Sequence, residues 1–333
     1  MRFHHTSFRR ELSVSLDALA RVKVSQGLLQ EATALFEEGL GLIDELRIEN
    51  GRSILLERDY SISLDNLARL SWQMGKIDLA RRRYTEALGI AQRLSEWQPN
   101  DVEAQLDLVD AYFNLASFEE SCGQTDIAIA HLMGAVDAIH IWTFVAPSLR
   151  LFCSYGSLLL KLAELRTSRG DGRLVLDILA RALRMHKQAV ELTDDISVSL
   201  QLARTSLKFA VHLSQFCLKS ISPERHFKQA LQVLAEILRE RPDWKDANLL
   251  VIEVVTQYIH ACKMHSHERV TLLLLSRNMH YRAAGDHWSV NLLQSLYVVD
   301  RELLEYRDLL GSKADTIEVE IISVEAALRR HGQ

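Results

Sequence analysis

The sequence predicts an all-α fold: a right-handed superhelix (an α-solenoid) of helical hairpins with a helical C-terminal cap. Three observations carry this. Gly27, Gly75 and Gly123 recur every 48 residues, and Leu19/Leu67/Leu115, Ala20/Ala68/Ala116 and Ala32/Ala80/Ala128 keep the same interval. A fixed period in this range marks a solenoid, because one unit cannot bury its apolar face alone. Between the glycines, apolar residues recur at helical spacing. Finally, 14 Gly, 4 Pro and the absence of alternating β-branched runs leave little room for strands or long loops.

Taken in order, the first helix starts near Phe8 and runs to about Ser25. Leu12, Leu16, Leu19, Ala20 and Lys23 form its expected buried stripe. Gln26-Gly27 ends it, since glycine adopts the left-handed cap conformation without steric cost. The second helix, about Leu28 to Leu46, carries the stripe Leu28, Ala32, Phe36, Leu40 and Ile43. Ser61 to Gln98 repeats the arrangement as two helices joined at Met74-Gly75-Lys76, and a third copy turns at Gly123. A weaker fourth copy turns at Arg169-Gly170-Asp171-Gly172. The fifth has a first helix over about Ile196–Lys219 and a second over Pro223–Arg241, with Ser222 expected to cap it and Pro223 in its first turn. The repeats therefore occupy 8–245, in blocks of about 8–50, 58–98, 101–142, 148–192 and 196–242. Residues 246–333 form a C-terminal helical region, with helices expected over Lys245–Met264, Val270–Ala283, Ser289–Leu310 and Thr316–Arg330. Such a region supplies the polar outer face that the last unit of an array needs.

These registers resemble the tetratricopeptide repeat (TPR), whose signature is a Leu-small pair, a Gly turn, an Ala and then an aromatic. The first copy supplies Leu16, Leu19-Ala20, Gly27, Ala32 and Phe36. The second supplies Leu64, Leu67-Ala68, Gly75, Ala80, Tyr84 and Ala87-Leu88, and the third Tyr112, Leu115-Ala116, Gly123, Ala128, Leu132 and Ala135-Val136. The fourth keeps Leu159, Leu162-Ala163, Gly170, Val175, Leu179 and Ala182-Leu183. The period departs from the family's usual length of about 34 residues. Either each helix is longer by about two turns, or a short segment is inserted around Glu49-Asn50-Gly51.

The resemblance implies an inner wall made from the first helix of each hairpin. Counted back from each Gly turn, that wall carries Asp17, Arg21 and Val24; Asp65, Arg69 and Trp72; Phe113, Ser117 and Glu120; and Leu160 and Glu164. Asp17/Arg21 and Asp65/Arg69 are i,i+4 pairs, either satisfied on their own helix or forming a charged ladder for a peptide. Trp72 and Phe113 are either packing between hairpins or anchors for a partner. Chaperone-binding members of the family hold a C-terminal carboxylate with Lys and Asn; Asp17, Asp65 and Phe113 stand at the matching places here, so that activity does not carry over.

Composition narrows the function. A formal net charge of −5 lacks the basic balance of a nucleic-acid binder, and Arg81-Arg82-Arg83 shares its helix with Asp78 and Glu86, as on a solvated face. Cys122, Cys153, Cys217 and Cys262 are far apart, a pattern expected of reduced thiols in a cytoplasmic protein. MRFHHTSFRREL does not read as a secretory signal, and Pro147 and Arg150 interrupt the most apolar stretch, so no membrane span is expected. His260, Cys262, His265 and His267 are zinc-ligating residue types, but their spacing fits no zinc motif and a histidine-rich helix end accounts for them. Nucleophile motifs and phosphate loops are missing. The sequence thus reads as a non-enzymatic scaffold, adaptor or regulatory subunit without a cofactor, holding a peptide or partner protein in a groove. The alternatives are a ligand- or peptide-sensing regulator that acts through a partner enzyme, and a metal-binding protein built on residues 260–287. The short lead before the first repeat leaves that end either open or completed by another chain, in a hetero-complex or a homo-oligomer.

Overall fold

A computed structural model describes residues 2–51, 53–216, 222–285 and 287–331; Cys217, Lys219 and Asp286 lie outside them. The described residues are helical throughout, with short connections and no strand. They fall into two compact units, 1–165 and 166–333.

The first unit contains α1 (Arg2–Ser25), α2 (Leu29–Asn50), α3 (Ile54–Gln73), α4 (Ile77–Trp97), α5 (Val102–Ser121), α6 (Thr125–His140) and the short α7 (Trp142–Val145), with most of α8 (Leu149–Thr167). Full helices here are 16 to 24 residues long, so lengthened helices account for most of the period of 48. Gly51, with φ 77°, only separates α2 from α3, and Ser53 caps α3 by accepting from the Leu56 N–H. Gly27, Gly75 and Gly123 all hold φ between 73° and 77°, the left-handed region that L side chains avoid.

Within each hairpin a small residue lets the two helices touch. Ser13 Oγ donates to the Gly39 carbonyl at 3.1 Å, and one period later Ser61 Oγ donates to the Ala87 carbonyl at 3.2 Å. Between hairpins, the second helix of one packs on the first helix of the next. Ala32 and Phe36 of α2 meet Leu67 and Leu70 of α3 in one apolar cluster. Tyr84, Leu88 and Ala91 of α4 meet Leu108, Leu115 and Phe118 of α5 in the next. Two partly or fully buried ion pairs join the same surfaces. Arg47 Nε donates to Glu57 Oε1 at 2.8 Å while its guanidinium lies 3.8 Å from the Tyr60 ring centre. Arg81 grips Glu119 with two bonds, at 2.8 and 3.0 Å.

One sequence expectation changes here. Ala20 is fully buried, but Leu12 and Leu19 of the expected stripe are 41% and 46% exposed, whereas Leu67 and Leu115 in the same register are buried. Leu67 packs with Ala32 and Phe36 of α2, and Leu115 with Tyr84 and Leu88 of α4. A second concerns Thr125–Val145, which is long and apolar enough to cross a membrane by length and composition alone; 39% of it is buried.

The second unit contains α9 (Gly172–Val190), α10 (Ile196–Phe216), α11 (Pro223–Glu240), α12 (Lys245–Ala261), α13 (Ser266–Ala284), α14 (Val290–Leu304), α15 (Arg307–Leu310) and α16 (Lys313–His331). Its core runs from α10 through α16 and is centred on Phe227, stacked on Tyr258 with centroids 5.2 Å apart. Pro223 occupies the first turn of α11, but the Ser222 side chain makes no capping bond. The single helix expected over Ser289–Leu310 is two. At Glu305 and Tyr306 the N–H groups turn to carbonyls three residues back, which tightens the chain and ends α14.

Candidate partner-binding cleft

The first helices of successive hairpins are stitched by a polar ladder with a constant offset of 49 residues. Arg10 binds Asp59, with Nη2 to Oδ1 at 3.1 Å, and one period on Arg58 Nη2 donates to Asp107 Oδ1 at 3.1 Å. A second rung pairs Asn66 Nδ2 with Asp17 Oδ2 at 3.4 Å, and its copy pairs Asn114 Nδ2 with Asp65 Oδ1 at 3.0 Å. The offset is one period plus one residue, so each first helix leans on its successor a fraction of a turn along.

Between α3 and α5, over a floor of Ala87, Ala91 and Leu94 from α4, this ladder borders a cleft of about 360 Å³. Its walls carry Arg58, Asp65, Asn66, Asp107, Asp110, Asn114 and Arg150. Arg150 pairs with Glu103 and lies 3.6 Å from Asp110. The cleft thus presents three carboxylates against two guanidinium groups. Burial pushes the Asp65 carboxyl up to about 6, against the amide of Asn114 and the charge of Arg69, which both favour ionisation. Burial likewise raises Asp107, against the opposing pull of Arg58.

The expected wall residues divide between this cleft and the structure around it. Asp17 is buried and held by Ser63 and Asn66 of the next hairpin, so it faces its neighbour and not a partner. Arg21 is exposed, and Val24 packs on the Ala20–Phe36 cluster. Asp65 lines the cleft, and Arg69, exposed beside it, donates to Asn66 Oδ1 at 2.9 Å. Trp72 packs edge-on to Phe118, with centroids 5.9 Å apart. Phe113 replaces the ladder aspartate in the third copy and lines a smaller cleft of about 250 Å³ with Val109, Asp110, Cys153, Ser154, Ser157 and Leu158. Ser117 Oγ donates to the Phe113 carbonyl. Glu120 binds Lys161 at 2.5 Å, with Glu164 3.9 Å from the same ammonium, and Leu160 is buried.

Sequence reasoning passed over Arg58, Asn66, Asp107, Asn114 and Arg150. The signal was present: Arg10/Arg58, Asp59/Asp107 and Asn66/Asn114 recur at the same interval as the glycines. In the other unit, His260 Nδ1 lies 2.6 Å from the Thr256 carbonyl, and His265 precedes α13. Among the described residues, no three His, Cys, Asp or Glu side chains come together to hold a metal ion.

No family model matches the sequence, and no curated protein matches it. Solved structures do. The S. pombe nuclear import adaptor Nro1 superposes with a TM-score of 0.59 at 12% identity, over 88% of this chain and 99% of that one. BtubC from P. vanneervenii gives 0.52 at 19% identity, over 72% and 84%. A Podosopora anserina kinesin light chain with nearly identical TPR-like repeats gives 0.46 at 18%, over 69% and 98%. The first two likenesses show the fold. With the hairpin geometry described above, the chain is an all-α, TPR-like helical repeat protein.

Proposed function

We propose that this chain is a non-catalytic scaffold or adaptor that binds another protein, and that the cleft between α3 and α5 receives a basic side chain of that partner. The observation that carries the reading is the cleft itself, where Asp65, Asp107 and Asp110 converge on open space between α3 and α5. Burial pushes the Asp65 carboxyl up to about 6, so its charged form gains from a further cation. An incoming ammonium or guanidinium supplies it, ionises the carboxyl and gains a charge-assisted hydrogen bond. Arg58 and Arg150 hold Asp107 and Asp110 in place and leave room for an acidic or backbone carbonyl group of the partner. Sharing a fold with a nuclear import adaptor supports an adaptor role. Residence in the cytoplasm belongs to the same reading, supported by four cysteines spaced far apart along the sequence.

The test is site-specific photocrosslinking in native cells. A crosslinker at Ile62, an exposed residue lining the cleft, is compared with one at Leu28, an exposed residue at the α1–α2 turn. A polypeptide captured from Ile62, absent from Leu28, and lost when Asp65→Asn and Asp107→Asn are added supports the reading. Equal capture from both positions, or capture indifferent to the two substitutions, moves the binding surface elsewhere.

A further inference from the structure

We infer that the partner is read at two successive places in one groove. A basic side chain enters the cleft between α3 and α5, and an aliphatic side chain of the same segment enters the cleft between α5 and α8. The two lie on either side of one packed helix, about 10 Å apart. The inference rests on the reading of the first cleft given above and adds the second.

The second cleft is the register copy of the first. Asp65 of α3 recurs 48 residues on as Phe113 of α5. Asp107, Asp110 and Ala111 of α5 recur in α8 as Ser154, Ser157 and Leu158, each 47 residues on, the interval that also separates Gly123 from Gly170. The first set lines the first cleft and the second set lines the second. The copy keeps the place of the site and changes its chemistry. Three carboxylates give way to a phenyl ring and two hydroxyls, and an alanine to a leucine. The larger side chains leave about 250 Å³ in place of about 360 Å³.

The two clefts are continuous. At about 100° per residue, Asp107, Ala111 and Asn114 lie within about 60° of one another on α5, Val109 and Phe113 lie further round, and Asp110 falls between the two sets. Asp110 accordingly borders both spaces, with Arg150 3.6 Å from its carboxylate. A cation in the second cleft would find only this acid, already faced by an arginine, and would lose its water. An aliphatic side chain instead leaves water for buried Val109 and Leu158 and the partly buried Phe113 ring. One turn of helix with its side chains fills about 400 Å³, more than the cleft holds, so a single side chain enters.

The test uses short capped alanine–serine peptides bearing one arginine and one leucine at every separation the length allows, beside peptides bearing arginine alone. Binding to the full chain is followed by fluorescence anisotropy. One separation should be preferred, and there leucine should tighten binding about tenfold over arginine alone. Ser157→Phe, at an exposed position, fills the second cleft and should remove that gain while arginine still binds. Phe113→Asp restores the ladder acid and should shift the preference to peptides with two arginines; melting reports that each variant is folded. Leucine that adds nothing at any separation, or a gain that survives Ser157→Phe, overturns the inference, while arginine binding lost in Asp65→Asn still supports the first cleft. Binding indifferent both to arginine and to Asp65→Asn overturns the reading of the first cleft and this one with it. So does a chain that binds none of the peptides at about 1 mM.

Discussion

Helices α1 and α3 carry the same register one period apart, and they spend it differently. Leu67 and Leu70 of α3 are sealed under α2, while Leu19 and Val22 of α1 stand in water. Both stripes are apolar; what differs is that α2 packs over the one on α3. In a repeat array the environment of a residue is set by its neighbouring unit as much as by its own helix. A motif position that is core in one copy is exposed in another.

The sharpest way to break this comparison is through the buried ion pair that α3 has and α1 lacks. Glu57→Ala removes the enclosed acid from Arg47, whose side chain and that of Glu57 are only 9% and 1% exposed, and leaves the guanidinium with Asp44 alone, at 3.0 Å. It should cost about 2–3 kcal/mol in denaturant unfolding, below the full penalty of an unpaired buried charge because Asp44 remains. Next come the two leucines. Leu67→Ala, fully buried, should cost about 2–5 kcal/mol, whereas Leu19→Ala should stay within about 0.5 kcal/mol when dilute. Equal costs would mean that Leu19 is covered as Leu67 is.

Acid titration extends the comparison to the two units. His186, buried between α9 and α10 with Nδ1 2.8 Å from Thr205 Oγ1, is held down at about 4 by burial. Its unfolded value is near 6.5, so the unfolded chain binds the extra proton first. The second unit should lose up to about 3 kcal/mol as pH falls from about 6.5 to 4. His186→Gln should flatten that part of the stability profile. Asp65 runs the other way. Its folded value, about 6, lies above its unfolded one, so its ionisation costs stability as pH rises through 6. Asp65→Asn should therefore stabilise the chain by about 1 kcal/mol at pH 7.5, allowing for solvent at a half-buried site, and by nothing at pH 3. The same titration should weaken capture of a basic partner below pH 6.

Much of the fold was legible in the chain. The glycine registers located the hairpin turns because a left-handed backbone at Gly27, Gly75 and Gly123 admits few other residues. The break at Glu305 was not legible, since no Gly or Pro marks it and the turn is made by shortened backbone bonds. The wall residues were half legible. Asp65 was found because it shares a helix position with Asp17. Its partner Asn114 was missed because an i,i+4 reading looks along one helix, while the bond crosses to the next hairpin 49 residues away. The same crossing removes Asp17 from the wall, since Ser63 and Asn66 close over it.

The equivalence of the two stripes is tested most directly by hydroxyl-radical footprinting of Leu19 and Leu67 across a concentration series. The structure predicts that Leu67 stays protected throughout and that Leu19 is labelled. Protection of Leu19 in a monomer, or labelling of Leu67 in the folded chain, would contradict it.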